Sequence, residues 1–92
     1  MDRYCNINLL DFTPVVTAAI HDGHHLSEEI NQLIALEDEE QLREEDPYTG
    51  IWACVSRNHI ICNTSRFEFD LNRSPEKATY LTPEDAWGLQ VW

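Results

Sequence analysis

The first apolar stretch to stand out along the chain is Pro14 to Ile20, Pro-Val-Val-Thr-Ala-Ala-Ile. A short, β-branched and nearly continuous apolar run of this kind predicts a strand buried on both faces, as in the sheet of an α/β protein. It gives way at once to the polar segment His21-Asp22-Gly23-His24-His25, whose glycine is able to take positive φ. Ser27 follows as an N-cap, with Glu28 and Glu29 in the first turn and Leu26, Ile30, Leu33 and Ile34 at helical spacing. The pattern therefore predicts a strand–loop–helix unit with the histidines at the carboxyl end of the strand.

Residues 35–45 are rich in helix formers but hold only Leu36 and Leu42 as large apolar side chains. They predict either a solvated continuation of the first helix or a second short one, ended by Pro47, which biases Asp46 toward extended backbone. The stretch from Tyr48 to Ser56 fits helix and strand equally. Residues 59–64 and 66–71 are rich in strand formers, and the second set alternates Phe67, Phe69 and Leu71 with Arg66, Glu68 and Asp70. Two adjacent strands, or one long bent strand, are expected there. Thr82-Pro83-Glu84-Asp85 combines an N-cap, a proline at the first helical position and acids in the first turn, which predicts a helix. Only Ala86 to Trp92 remain to form it, and its two tryptophans need a surface to bury against, so the chain reads as the truncated first part of a larger domain.

The 92 residues leave room for a single, partial domain, residues 1–92. Seventeen acids against six Lys and Arg give a formal net charge of -11, which repels phosphate backbones and anionic lipid and argues against nucleic acid or membrane as partner. The longest apolar run is far below the roughly 20 residues that span a bilayer, and the first residues lead into no secretory signal, so a cytoplasmic protein is expected. Cys5, Cys54 and Cys62 are odd in number and lack C-x-x-C spacing, which predicts reduced thiols acting mainly as small core residues. Oligomeric state is not legible from the sequence.

Three constellations carry candidate chemistry. His21-Asp22-Gly23-His24-His25 lies just beyond a strand's carboxyl end, where ligands of open α/β sheets sit, and a neutral imidazole there is a zinc donor. A solvated, weakly metal-binding loop accounts for the same residues equally well. Arg43-Glu44-Glu45-Asp46-Pro47 crowds acids at a helix end where the dipole disfavours them, which a nearby cation would relieve; a charged surface helix running into a turn explains it too. Ser65-Arg66-Phe67-Glu68-Phe69-Asp70-Leu71-Asn72-Arg73 sets two arginines beside acids and an amide. Arg66 or Arg73 is suited to capturing a carboxylate with Asp70 and Asn72 orienting it, and an ordinary salt-bridged strand face is the alternative. His59 opens an apolar run and reads as structural.

These three segments, in this order, resemble the N-formylglutamate amidohydrolase family, over about residues 13 to 92. The family pattern is a strand ending in Pro-His-Ser/Thr-Gly, an acidic Asp-x-Asp-type segment, and Ser-Arg-x-x-x-Asp-Leu-Asn-Arg. Here they stand as Ile20-His21-Asp22-Gly23, Glu44-Glu45-Asp46 and residues 65–73, the last matching at every motif position. Ile20 replaces the proline and Asp22 the small hydroxyl residue, as in a divergent branch. The resemblance implies an α/β, three-layer mixed-sheet fold of the zinc-peptidase-like phosphorylase/hydrolase type, present only in part. It implies hydrolysis of the linear amide of an N-acyl amino acid, N-formylglutamate giving formate and glutamate, at one divalent metal, zinc first among candidates. Carried over, His21 is a metal ligand, Asp46 or its neighbour Glu45 the carboxylate ligand, and Arg66, Asn72 and Arg73 face the substrate with Asp70 orienting them. A further histidine is expected from a later Asp-x-His-Ser-like strand, and no catalytic acid or base is assigned. A non-catalytic fragment of the same fold that binds metal or protein is the alternative.

Overall fold

A computed structural model describes residues 4–10 and 12–92. The elements follow in the order β1 (Cys5–Leu9), β2 (Thr17–Ala19), α1 (Glu28–Leu33), α2 (Asp38–Glu44), α3 (Thr49–Ala53) and β3 (Asn58–Cys62), then two 3-10 turns, Pro75–Lys77 and Pro83–Ala86. The three strands form one mixed sheet in the order β1-β3-β2, with β1 antiparallel and β2 parallel to the central β3. The result is a small mixed α/β fold, and the helices occupy the crossover between the two parallel strands, as a parallel pair requires.

The run from Pro14 forms a strand only over Thr17–Ala19, and Ala19 alone in it is buried while Val15 and Val16 are half-exposed. Burial on both faces, expected from the apolar run, is thus corrected: three short strands offer too little sheet to cover it. Ser27 caps α1 as expected, its side chain accepting the Ile30 N–H, yet α1 buries no residue and Leu33 is exposed. Within residues 35–45 a separate helix forms, α2 over Asp38–Glu44, whose start is fixed by a reciprocal cap between Glu37 and Glu40. The ambiguous stretch settles as α3, which sets Gly50 and Ala53 against β2 and β3 and leaves Ile51 and Trp52 exposed. Thr17 ties β2 to α3 through a hydroxyl hydrogen bond to the Ala53 carbonyl.

The expected strand over 66–71 is replaced by turns. Phe67 is buried, but Leu71 is half-exposed and Asp70 is 1% exposed, so the alternation of apolar and polar faces does not survive. Phe67 instead joins Tyr80, Ala86 and Val91 in a core flanked by Ile34, Leu36, Leu89 and Trp92. The Phe67 and Tyr80 rings meet edge to face at 5.6 Å, a contact worth about 0.5–1.5 kcal/mol beyond the area it buries. The helix expected from Pro83 is a single 3-10 turn ended by Trp87 at φ 55°, after which the chain extends and buries Val91. Among the described residues no helix is long and apolar enough to cross a membrane.

Candidate functional site

The loop after β2 runs alongside the end of β3. The His25 N–H donates to the Asn63 carbonyl at 3.1 Å and the Ser65 N–H to the His25 carbonyl at 2.8 Å, so parallel pairing resumes at His25 and Thr64. The approach depends on Gly23, because a Cβ there would overlap the Asn63 carbonyl group and stand 2.6 Å from Thr64 N. Two further bonds hold the loop to the segment after α2: Asp46 N–H donates to the His21 carbonyl at 3.0 Å, and Asp22 accepts from the Gly50 N–H of α3 at 3.2 Å.

His21 is 6% exposed, and its Nε2 lies 2.7 Å from Asp70 Oδ1. Its Nδ1 faces Asp46 Oδ2 at 3.7 Å, and the Asp46 side chain is open to solvent. The buried Asp70 carboxylate gathers far more than this histidine. Oδ2 accepts from Arg66 Nη2 at 3.1 Å and from the Tyr80 hydroxyl, and Oδ1 from the Asn72 N–H at 2.8 Å. Arg73 Nε stands 3.8 Å from the same carboxylate. Burial on its own would raise the Asp70 pKa, but the donation from Tyr80, then Asn72, His21 and Arg66 outweighs it and holds the group at about 2. Tyr80 moves the opposite way, to about 12, because burial and the bond to Asp70 both oppose its ionisation.

A second histidine–carboxylate cluster sits on the other side of the same loop. His24 Nδ1 lies 2.6 Å from Glu45 Oε1 and His24 Nε2 2.7 Å from Asp38 Oδ1. Glu45 is buried, and its other oxygen accepts from Gln41 Nε2 at 2.9 Å and from the Ser65 hydroxyl. Burial works to lower the His24 pKa, but the bonds to Glu45 and Asp38 prevail and raise it, because both ring nitrogens face carboxylates that favour the doubly protonated ring.

The sequence-derived site residues thus separate into groups. His21, Asp46 and Asp70 come together. Glu45 does not join them, since both of its oxygens are engaged by His24, Gln41 and Ser65. Arg66 is oriented inward: Nε donates to the Tyr80 hydroxyl at 2.9 Å, Nη1 to the Glu44 carbonyl at 3.1 Å and Nη2 to Asp70. Its pKa is raised because the bonds to Tyr80 and Asp70 outweigh the burial that would lower it. Arg73 keeps more freedom; its guanidinium lies over the Tyr80 ring at 4.4 Å, near that of Trp87 at 5.9 Å. Asn72 is exposed and contributes its backbone N–H to Asp70.

Tyr80, Gln41 and Ser65 take part in these networks although reasoning from the sequence gave none of them a role. Ser65 lies inside the recognisable nine-residue segment, whereas nothing local marks Tyr80 or Gln41. Among the described residues no group of three or more His, Cys, Asp or Glu side chains converges on one point where a metal ion could be held. A recess of about 180 Å³ opens elsewhere, lined by Tyr4, His25, Ser27 and Glu68. Comparison of the chain with protein-family profiles, with curated proteins and with solved structures returned no match.

Proposed function

We propose that this chain carries part of the site of a divalent-metal-dependent hydrolase acting on the linear amide of an N-acyl amino acid, of which N-formylglutamate is the type. The reading includes a fold of the zinc-peptidase-like, phosphorylase/hydrolase kind, of which the three-stranded sheet is one portion. The observation that supports it most is the pose of His21, whose Nε2 is fixed by buried Asp70 while Nδ1 faces Asp46 Oδ2 at 3.7 Å. A carboxylate that fixes one ring nitrogen sets the tautomer and turns the other nitrogen into a metal donor. Two ligand atoms about 2.0–2.2 Å from a tetrahedral zinc lie about 3.3–3.6 Å apart, so the gap to Asp46 suits a shared ion.

His21 Nδ1 and Asp46 Oδ2 would hold the metal, and Glu45 is left out of the ligand set. When bound, a zinc ion would polarise the amide carbonyl and bring the pKa of a water toward about 7. Asp70 accepts the His21 Nε2 proton and keeps the ring from turning. Arg73, stacked on Tyr80, presents its terminal nitrogens to a substrate carboxylate, while Arg66 and Asn72 hold Asp70 in place.

Titrating zinc into the full chain and into H21A, D46A and H24A variants by calorimetry tests the ligand assignment. The expected result is a loss of at least tenfold in affinity for H21A and D46A with H24A close to wild type. Equal affinities in all four would overturn it. Formate release from N-formylglutamate in the same samples separates hydrolysis from binding: zinc held through His21 and Asp46 without turnover would favour the non-catalytic metal-binding module.

A further inference from the structure

The antiparallel register of β1 and β3 sets Cys5 directly opposite Cys62. The neighbouring pair is hydrogen-bonded, with Asn63 N–H donating to the Tyr4 carbonyl at 2.7 Å. Cys5 and Cys62 therefore occupy a non-hydrogen-bonded pair, the closer of the two kinds, with Cα atoms about 4.5 Å apart. That separation lies inside the range of about 4.4–6.8 Å that a disulfide spans without moving the backbone. The two side chains leave the same face of the sheet, and their sulfurs, both in the thiol form, stand 2.6 Å apart. Cys62 is 2% exposed, whereas Cys5 is partly open to solvent. Cys54 ends α3, which packs on β2 and β3, and is exposed.

We propose that Cys5 and Cys62 form a reversible cross-strand disulfide when the protein meets a peroxide. The division of labour follows from exposure. The sulfur of Cys5, the more exposed of the two residues, attacks hydrogen peroxide; the O–O bond breaks, one water leaves and Cys5 becomes a sulfenic acid. The Cys62 sulfur, already adjacent, attacks that sulfur, the S–O bond breaks and a second water leaves. Two thiols and one peroxide give one disulfide and two waters, the two electrons passing from the sulfurs to the peroxide, and a dithiol reductant reverses the bond. The link closes a long loop, since the two cysteines are 57 positions apart, and it fastens the edge strand to the strand that delivers Asn63, Thr64 and Ser65 to the histidine loop.

The test uses the full chain carrying C54S, which removes the exposed thiol and with it most linkage between molecules. After peroxide, intact mass should fall by two hydrogens, Cys5 and Cys62 should resist alkylation together, and a peptide joining them should be found by mass spectrometry. The thermal midpoint should rise by about 10 °C or more, and dithiothreitol should reverse every change. The C5S, C54S double variant should show no rise. The proposal is overturned if both cysteines alkylate fully after peroxide, if Cys5 stops at sulfenic or sulfinic acid beside a free Cys62, or if the linkage joins two chains.

Discussion

Replacing Asp70 by Asn removes the charge at the centre of the network and nothing else of comparable size. Asp70 is 1% exposed and accepts from His21, Arg66, Tyr80 and the Asn72 backbone. An amide keeps one acceptor oxygen but offers an N–H₂ where Arg66 or the Tyr80 hydroxyl now donates, and it leaves the Arg66 guanidinium without a counter-charge. Breaking a buried ion pair from one side costs about 3–5 kcal/mol. Part of that loss is readable by pH: the shift from 3.8 to about 2 corresponds to at most about 2.5 kcal/mol, which we discount to about 1–2 kcal/mol for solvent screening through Arg73. A chain of this size has about 5–14 kcal/mol to lose.

Urea unfolding followed by tryptophan fluorescence measures the effect, because Trp87 lies edge to face with Tyr80 and Trp92 donates to the Tyr80 carbonyl. With a urea slope near 1 kcal/mol/M, the D70N midpoint at pH 7 should fall by about 3–5 M. The sign of the pH dependence is fixed as well. The folded pKa is depressed, so the charge-dependent part is complete above 3.8 and disappears as pH falls toward 2, narrowing the gap between wild type and D70N. Coincident midpoints at pH 7, or a gap that stays constant from pH 7 to pH 2, would refute the view that ionised Asp70 holds this part of the fold.

Two further outcomes follow from the loop that bears the histidines. The His24 pKa is raised above 6.5, so its contribution to stability is complete below pH 6.5 and fades as pH rises through the folded value. An NMR titration should place the ring's midpoint above that of a free histidine, and H24Q should remove this segment of the stability profile; a midpoint at or below 6.5 would contradict the geometry. Gly23→Ala would drive a methyl group into the Asn63 carbonyl and within 2.6 Å of Thr64 N, a collision with backbone that no rotamer relieves. Unfolding measurements should find a loss of about 3 kcal/mol or more, and a loss below about 1 kcal/mol would show that the loop does not lie on β3.

The parts legible in the sequence were those set by local chemistry. Ser27 as N-cap and the end of α2 ahead of Pro47 both depend on side chains within a turn of where they act, whereas the break between α1 and α2 stayed open in the sequence. The alternation over residues 66–71 misled because period 2 records only which residues are apolar. Asp70 is buried more deeply than Arg66 or Glu68 through partners four, ten and forty-nine positions away. Strand β1 was overlooked although Cys5-Asn6-Ile7-Asn8-Leu9 alternates apolar and polar residues; the run is short, and its pairing with β3 is what fixes it as a strand. Tyr80 carried no signal at all, because a tyrosine between Thr79 and Leu81 is marked only by the carboxylate it reaches in space.

The fate of the two adjacent acids, Glu45 and Asp46, shows how a short stretch of backbone divides chemistry between two histidines. Helix α2 ends at Glu44, and Glu45 caps it with φ -80° and ψ 171°, already extended. Pro47 disfavours helical geometry at Asp46 for steric reasons, so the chain leaves the helix before the proline. In extended backbone, successive side chains leave on opposite sides. Glu45 accordingly turns inward to His24, Gln41 and Ser65, while Asp46 turns outward and faces His21. Two acids in one helical turn would have projected to neighbouring positions and competed for the same cation. Moving the proline by one residue would therefore do more to the site than exchanging either acid for the other, because the side on which each carboxylate emerges is a property of the backbone and not of the carboxylate.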